Sequence, residues 1–305
     1  MDAHAPPPGI HVLDSSSMMV GAPTIDENGV KYYPVTSIYQ GIRPLIVRVL
    51  EPTRPAPGKP HRLLFVLPVG VGVENLNSRW GDGLEELRIL DVPNRFNMTL
   101  IAPSFSYEPW YGDNALDPTH DMESFVVRDL VPFGETFAKD RGTPRLLIGF
   151  SKSGNGALDL ILRHPDVFDK AAVWDCPAQT SSLSAFGLLK ANFGTQKNFD
   201  RYDIPALVAG NPEPFQHEIR FWIGGDQAVF TADMIKLHDE LLAASIPHIW
   251  SPGATRLHNW YSGWLIGAIE GLDVITSTAP STGGRAQLPQ DSHRASDALV
   301  SATNR

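Results

Sequence analysis

The sequence predicts an α/β chain, with one mostly parallel, doubly wound sheet carrying helices on both faces. Short apolar runs rich in Val, Ile, Leu and Phe alternate with longer stretches whose apolar residues recur every three or four positions. That alternation builds parallel strands joined by crossover helices. The chain has 305 residues, 42% of them hydrophobic, enough to bury one large core. A cluster of small residues, Gly149, Ser151, Ser153, Gly154 and Gly156, also stands where an apolar run gives way to a helical pattern. Tight strand-to-helix turns need such residues.

Taken in order, residues 1–30 are rich in Pro, Ser and Gly and read as a flexible lead-in. Residues 32–38 and 45–51 form an opening antiparallel pair, followed by a Pro-rich turn over 53–60. Strands are expected over 63–67, 99–102, 146–150, 171–174, 220–223 and 248–250. Helices are expected near 84–90, 122–138, 157–163, 232–244 and 261–275. Pro132 removes a backbone donor from the second of these and should kink or split it. His164-Pro165 closes the third. The long connection 177–214 reads as an insertion, and 277–305, polar and without periodicity, as a disordered tail. That leaves 31–276 as the folded domain, with no internal repeat.

The chemistry centres on Arg145-Leu146-Leu147-Ile148-Gly149-Phe150-Ser151-Lys152-Ser153-Gly154-Asn155-Gly156-Ala157. A buried strand runs into a serine flanked by small residues, and a helix follows. This is the layout of a nucleophile elbow, which lifts a serine hydroxyl above the sheet edge. An ordinary turn with a serine helix cap would share the composition, so partners decide. Nucleophilic serine chemistry needs a histidine as proton acceptor and a carboxylate to orient it, in this fold in the chain order Ser, acid, His. His258 alone among ten histidines falls in a loop after a strand and before a final helix. Asp226 ends a strand at a Gly-Gly turn one crossover before it, and is favoured as the acid. Asp175 also ends a strand and is the rival.

A tetrahedral intermediate requires backbone donors for its oxyanion. One is the N–H of Lys152, directly after the serine at a helix N-terminus. The second comes from the loop Pro68-Val69-Gly70-Val71-Gly72; Pro68 cannot donate, which leaves Val69 or Gly70. Trp110 and Tyr111 follow another strand and are candidates for the substrate-pocket rim. Phe186, Phe193 and Phe199 in the insertion form either an acyl or aromatic wall, or a cluster packed on itself.

The elbow, Trp110-Tyr111-Gly112-Asp113 and His258-Asn259-Trp260 with Trp264 four later resemble the esterase-D-like branch of the α/β-hydrolases. That branch holds feruloyl and acetyl-xylan esterases, S-formylglutathione hydrolases, enterochelin esterases and mycolyltransferases. The resemblance covers about 45–275. It departs from the family at Ser153, where glycine is usual, and at Leu67-Pro68-Val69-Gly70, where many members carry Leu-His-Gly. It implies an α/β-hydrolase fold and a serine carboxylic-ester hydrolase working through an acyl-enzyme on a small, aromatic or carbohydrate-linked ester. An acyltransferase with the same triad and a non-catalytic binding protein on the same fold are the alternatives.

Composition excludes other classes. A net charge of −9, from 25 basic and 34 acidic residues, argues against a nucleic-acid or anionic-membrane partner. No run of 18 apolar residues is present, and the N-terminal Met1-Asp2-Ala3-His4-Ala5-Pro6 lacks the basic and apolar parts of a signal peptide. A single cysteine, Cys176, forbids an internal disulfide and fits a reducing, cytoplasmic setting as a small buried hydrophobe. No Cys, His and Asp cluster has metal-ligand spacing, and no cofactor is expected.

Overall fold

A computed structural model of the chain describes residues 11–12, 17–72, 79–225 and 228–277. Eleven strands form a single mixed sheet: β1 (His11–Val12), β2 (Met19–Val20), β3 (Thr24–Ile25), β4 (Lys31–Thr36), β5 (Leu45–Leu50), β6 (Arg62–Val66), β7 (Met98–Pro103), β8 (Arg145–Phe150), β9 (Lys170–Trp174), β10 (Phe221–Gly224) and β11 (His248–Ser251). Their order is β1-β2-β4-β5-β7-β6-β8-β9-β10-β11, with β3 added beside β4. From β7 to β11 every pairing is parallel, and the remainder is antiparallel. Strands β6, β8 and β9 are buried at every position. Covered on both faces, they therefore appear in sequence as unbroken apolar runs.

The helices are α1 (Gly83–Ile89), α2 (Val92–Phe96), α3 (Met122–Ser124), α4 (Val131–Glu135), α5 (Ser151–Arg163), α6 (Leu189–Phe193), α7 (Gln196–Phe199), α8 (Ile204–Gly210), α9 (Thr231–Ala243) and α10 (Trp264–Ser277). Successive residues of β8 point to opposite faces. Leu147 joins a core with Phe125, Leu158, Ile161 and Leu237, while Leu146 and Ile148 join one with Leu84, Leu265 and Leu272. So α5 and α9 cover one face, and α1 and α10 the other. No helix among the described residues is long and apolar enough to cross a membrane.

Pro132 splits its helix as expected. A six-residue π-helical stretch, Phe125–Leu130, separates α3 from α4, and the proline stands in the first turn of α4, where a missing N–H costs no hydrogen bond. The lead-in differs from expectation. Met18 is fully buried, β2 pairs with β4, and the Ser17 hydroxyl donates to the Asp129 carboxylate, so the fold takes in residues before 31. The expected tail lies outside the described residues from 278 onward.

The insertion carries α6, α7 and α8 and builds a small core of Trp110, Leu189, Phe193, Phe199 and Tyr202. Glu123 ties it to the sheet layers, accepting from Arg163 (2.8 Å), His164 (2.6 Å) and the Tyr202 hydroxyl (2.6 Å). Burial alone would push the Glu123 carboxyl up. These three partners outweigh it and bring the group down to about 2.

Candidate active site

Strand β8 passes into α5 with no intervening loop, and the junction residue is Ser151. Its φ of +54° lies in the left-handed region that a side chain adopts only when its surroundings impose it. Space explains the neighbours. A Cβ on Gly149 would lie 2.3 Å from the Ser153 carbonyl oxygen, and one on Gly156 would lie 2.1 Å from the Tyr111 ring. Ser153, where glycine is usual in the resembling family, is wholly buried. Its hydroxyl donates to the Phe150 carbonyl (2.8 Å) and accepts the Phe150 N–H (3.1 Å). The serine thus closes the elbow with local bonds, a role its small size alone did not announce.

His258 stands seven residues after β11, in a loop fixed at several points. The Trp260 N–H donates to the Trp80 carbonyl (2.8 Å), and the Trp264 indole N–H and Ser262 hydroxyl both donate to the Leu257 carbonyl (3.0 and 2.7 Å). The imidazole ring lies between Phe150 and Phe230, with centroids 5.0 and 5.8 Å away. Trp260 packs on Phe150 at 5.1 Å and supports the His258 imidazole through that ring. Nε2 of His258 is 2.9 Å from the Ser151 hydroxyl.

The other ring nitrogen, Nδ1, bonds the Asp175 carboxylate through Oδ2. Asp175 follows β9 directly, and its side chain is shut off from solvent. Its Oδ1 accepts the Phe230 N–H at 2.6 Å, and its backbone carbonyl accepts the Ser151 N–H at 3.1 Å. The carboxylate on His258 is therefore the rival from the earlier strand. Asp226, favoured on chain order, lies outside the described residues. Chain order missed the local geometry: Asp175, at φ +43°, turns straight off the strand end.

Of the expected oxyanion donors, Lys152 follows Ser151 directly, and Val69 and Gly70 lie in the loop after β6. Lys152 is the second residue of α5, so its N–H has no acceptor within the helix. Its side chain forms an ion pair with Glu108. Val69 and Gly70 are buried in the loop after β6. The Tyr111 hydroxyl anchors that loop by donating to the Pro68 carbonyl (2.5 Å). Gly72, at φ +101°, also packs there so closely that a Cβ would lie 2.7 Å from Ser104 Cα.

The two expected rim residues are placed differently. Tyr111 is wholly buried, at φ +60°, against Gly156 and Pro68, and burial pushes its phenol well up. It supports the loop from beneath and has no surface for a substrate. Trp110 is 3% exposed and lies under Phe186, with ring centroids 5.2 Å apart. Of the rings near His258, Phe230 was not singled out by sequence, whereas Phe186, which packs on Phe230, was read with Phe193 and Phe199 as either a wall or a cluster packed on itself. Phe230 lies in a stretch that reads only as a turn, and no periodicity marks it. Cys176 is buried behind α5 against Gly154, and burial holds its thiol well above the usual range. Among the described residues no group of three or more His, Cys, Asp or Glu could hold a metal ion.

A serine hydroxyl on an imidazole, itself on a buried carboxylate, can lose its proton to the ring and attack an electrophilic carbon. No family profile and no curated protein matches this sequence. Solved structures do. An S-formylglutathione hydrolase from Agrobacterium tumefaciens superposes with a TM-score of 0.62 at 15% identity, over 83% of this chain and 99% of its own. A ferulic acid esterase gives 0.58 at 14% identity, over 77% and 93%. A fluorophosphonate-binding serine hydrolase from Staphylococcus aureus gives 0.58 at 15% identity, over 84% and 98%. At such identities the likeness is one of fold: the chain has the α/β-hydrolase fold.

Proposed function

We propose that the chain is a carboxylic-ester hydrolase that works through an acyl-enzyme on Ser151. One observation carries this reading: His258 bonds the Ser151 hydroxyl through Nε2 and a buried carboxylate through Nδ1, at a left-handed serine between strand and helix. In the first half-reaction His258 takes the hydroxyl proton as Oγ attacks the ester carbonyl. Asp175 holds the Nδ1–H tautomer and stabilises the imidazolium. The oxyanion lies toward the Lys152 N–H and one donor from Val69 or Gly70. The imidazolium then protonates the departing alcohol. Water, deprotonated by the same ring, releases the acid and restores Ser151. Asp175 takes the orienting role because it bonds the ring. The small-molecule ester named for similar folds supports the substrate class.

The test is turnover of p-nitrophenyl acetate and longer acyl homologues by the purified chain and by Ser151→Ala. The variant should melt like the wild type and lose several orders of magnitude in rate, since the three residues act as a unit. A fluorophosphonate should add once, on the peptide holding Ser151. Near-wild-type turnover by Ser151→Ala, or an adduct on Ser153, would overturn the assignment.

A further inference from the structure

Resting on the hydrolytic function proposed above, we infer that Phe186 and Phe230 bind the alcohol half of the ester and select an alcohol with a planar aromatic ring. On a tetrahedral carbon attached to Ser151, three groups diverge. The oxyanion points to its backbone donors. The alcohol oxygen points to His258 Nε2, which must protonate it. The acyl chain takes the remaining direction. Side chains touching His258 from the cleft edge therefore border the alcohol, not the acyl group.

Phe230 is the half-buried ring that meets the imidazole, 5.8 Å away and inclined by 58°. Phe186 continues from it at 6.3 Å and 65°, and Trp110 lies beneath Phe186 at 5.2 Å and 36°. The insertion thus divides its aromatic residues. Phe193 and Phe199 are buried and turn inward, Phe193 lying 4.9 Å from Phe199 and 5.0 Å from Tyr202, while Phe186 packs on Phe230, the ring beside His258, and keeps part of its surface open. Phe230 is likewise half-buried. Val229 and Leu257, the residues before Phe230 and His258 in the chain, are apolar and 64% and 68% exposed. Large apolar side chains grouped at one edge mark a binding surface, and offset or edge-on rings favour a planar aromatic partner over an aliphatic ring of equal size.

Two pairs of esters separate alcohol from acyl recognition. Benzyl and cyclohexylmethyl acetate differ only in the alcohol ring; methyl phenylacetate and methyl cyclohexylacetate differ only in the acyl ring. In kcat/KM the wild type should prefer benzyl over cyclohexylmethyl acetate. Phe186→Ala should cut that alcohol ratio about threefold to tenfold, the worth of one aromatic contact, without moving the acyl ratio. Phe186→Tyr should restore it. Phe230→Ala, which keeps the N–H bonded to Asp175, should act in the same direction. Thermal melts check folding throughout. If Phe186→Ala changes the acyl ratio and spares the alcohol ratio, the rings line the acyl side. If it changes neither, they only pack. Either result overturns the inference while hydrolysis stands. A wild type that turns over no ester and takes no fluorophosphonate on Ser151 removes the hydrolytic function itself, and the inference with it.

Discussion

Replacing Asp175 with asparagine should leave the fold intact and lower kcat by roughly 10²–10⁴. The size follows from the two bonds of the carboxylate, Oδ1 to the Phe230 N–H and Oδ2 to His258 Nδ1. An asparagine offers one oxygen and one NH₂. If the oxygen stays on Phe230, the NH₂ faces Nδ1 and forces it to accept. The ring proton then sits on Nε2, 2.9 Å from the Ser151 hydroxyl, and the imidazole cannot take the serine proton. Turning the amide over restores Nδ1–H but sets NH₂ against the Phe230 N–H. That leaves a buried donor unpaired at a cost of about 1–3 kcal/mol. Losing the charge beside the imidazolium removes a charge-assisted bond worth about 1.5–3 kcal/mol more. Both act on the transition state, and each 1.36 kcal/mol is about tenfold in rate. The assay is p-nitrophenyl acetate hydrolysis from pH 6 to 9, with thermal melts and Asp226→Asn run in parallel. Asp226→Asn should cost less than about tenfold. A crippled Asp226→Asn beside a mild Asp175→Asn would refute the geometric reasoning and place the acid after β10, with Ser151 and His258 unaffected.

Gly149→Ala brings a Cβ within 2.3 Å of backbone at Ser153 and should destabilise by about 1–3 kcal/mol, with a larger proportional loss of activity; an unchanged melt would contradict the packing described. Tyr111→Phe removes the bond to the Pro68 carbonyl and should lower kcat about twofold to tenfold with KM little changed, because the loop it anchors is the proposed source of an oxyanion donor. An effect confined to KM would count against that role. Asp159 has neither carboxylate oxygen hydrogen-bonded and is wholly buried, and burial pushes its carboxyl well up. Its folded value exceeds its unfolded one, so the native state holds the proton longer. The resulting stability is fully present below the unfolded value of about 3.9 and is lost as pH rises toward the folded one, by up to about 1.4 kcal/mol per pH unit. Asp159→Asn should therefore gain stability over the wild type progressively from pH 5 to 8 in denaturant titrations, and a difference flat in pH would refute the assignment.

Much of the fold was legible because burial on both faces writes parallel strands as continuous apolar runs. Of the eight strands expected, all appear within one or two residues of their predicted bounds, from β4 to β11. Helices were legible where a 3–4 spacing met a wide core, as in α5 and α9. The short helices of the insertion were not. Helices α6, α7 and α8 hold together through Trp110, Tyr202 and the Glu123 bonds, which are contacts remote in sequence. The site divides the same way. Ser151, the proposed nucleophile, was marked by steric need for small neighbours, and His258, the proposed base, by its loop. The carboxylate on the ring depends on which of two adjacent strand ends turns its carboxyl toward the imidazole, and alternation patterns do not encode that turn. Tyr111 misled for a related reason: an aromatic residue after a strand reads as rim until the glycine opposite it, Gly156, is known to receive its ring.

Backbone strain at this edge of the sheet has a common logic. Ser151, Asp175 and Tyr111 all hold positive φ, at +54°, +43° and +60°, without being glycine. Such conformations cost of order 1–3 kcal/mol each and persist only where surroundings impose them. Here each is secured by a bond to another part of the site. The Ser151 N–H is held by the Asp175 carbonyl, the Asp175 carboxylate by the Phe230 N–H, and the Tyr111 hydroxyl by the Pro68 carbonyl. The bonds join β8, β9, the segment before α9 and the loop after β6, so Ser151, Asp175 and the loop proposed to hold the oxyanion are set relative to one another by the framework. Releasing one should loosen the others. The double variant Tyr111→Phe with Gly149→Ala should accordingly lose more activity than the product of the single losses, whereas independent sites would simply multiply.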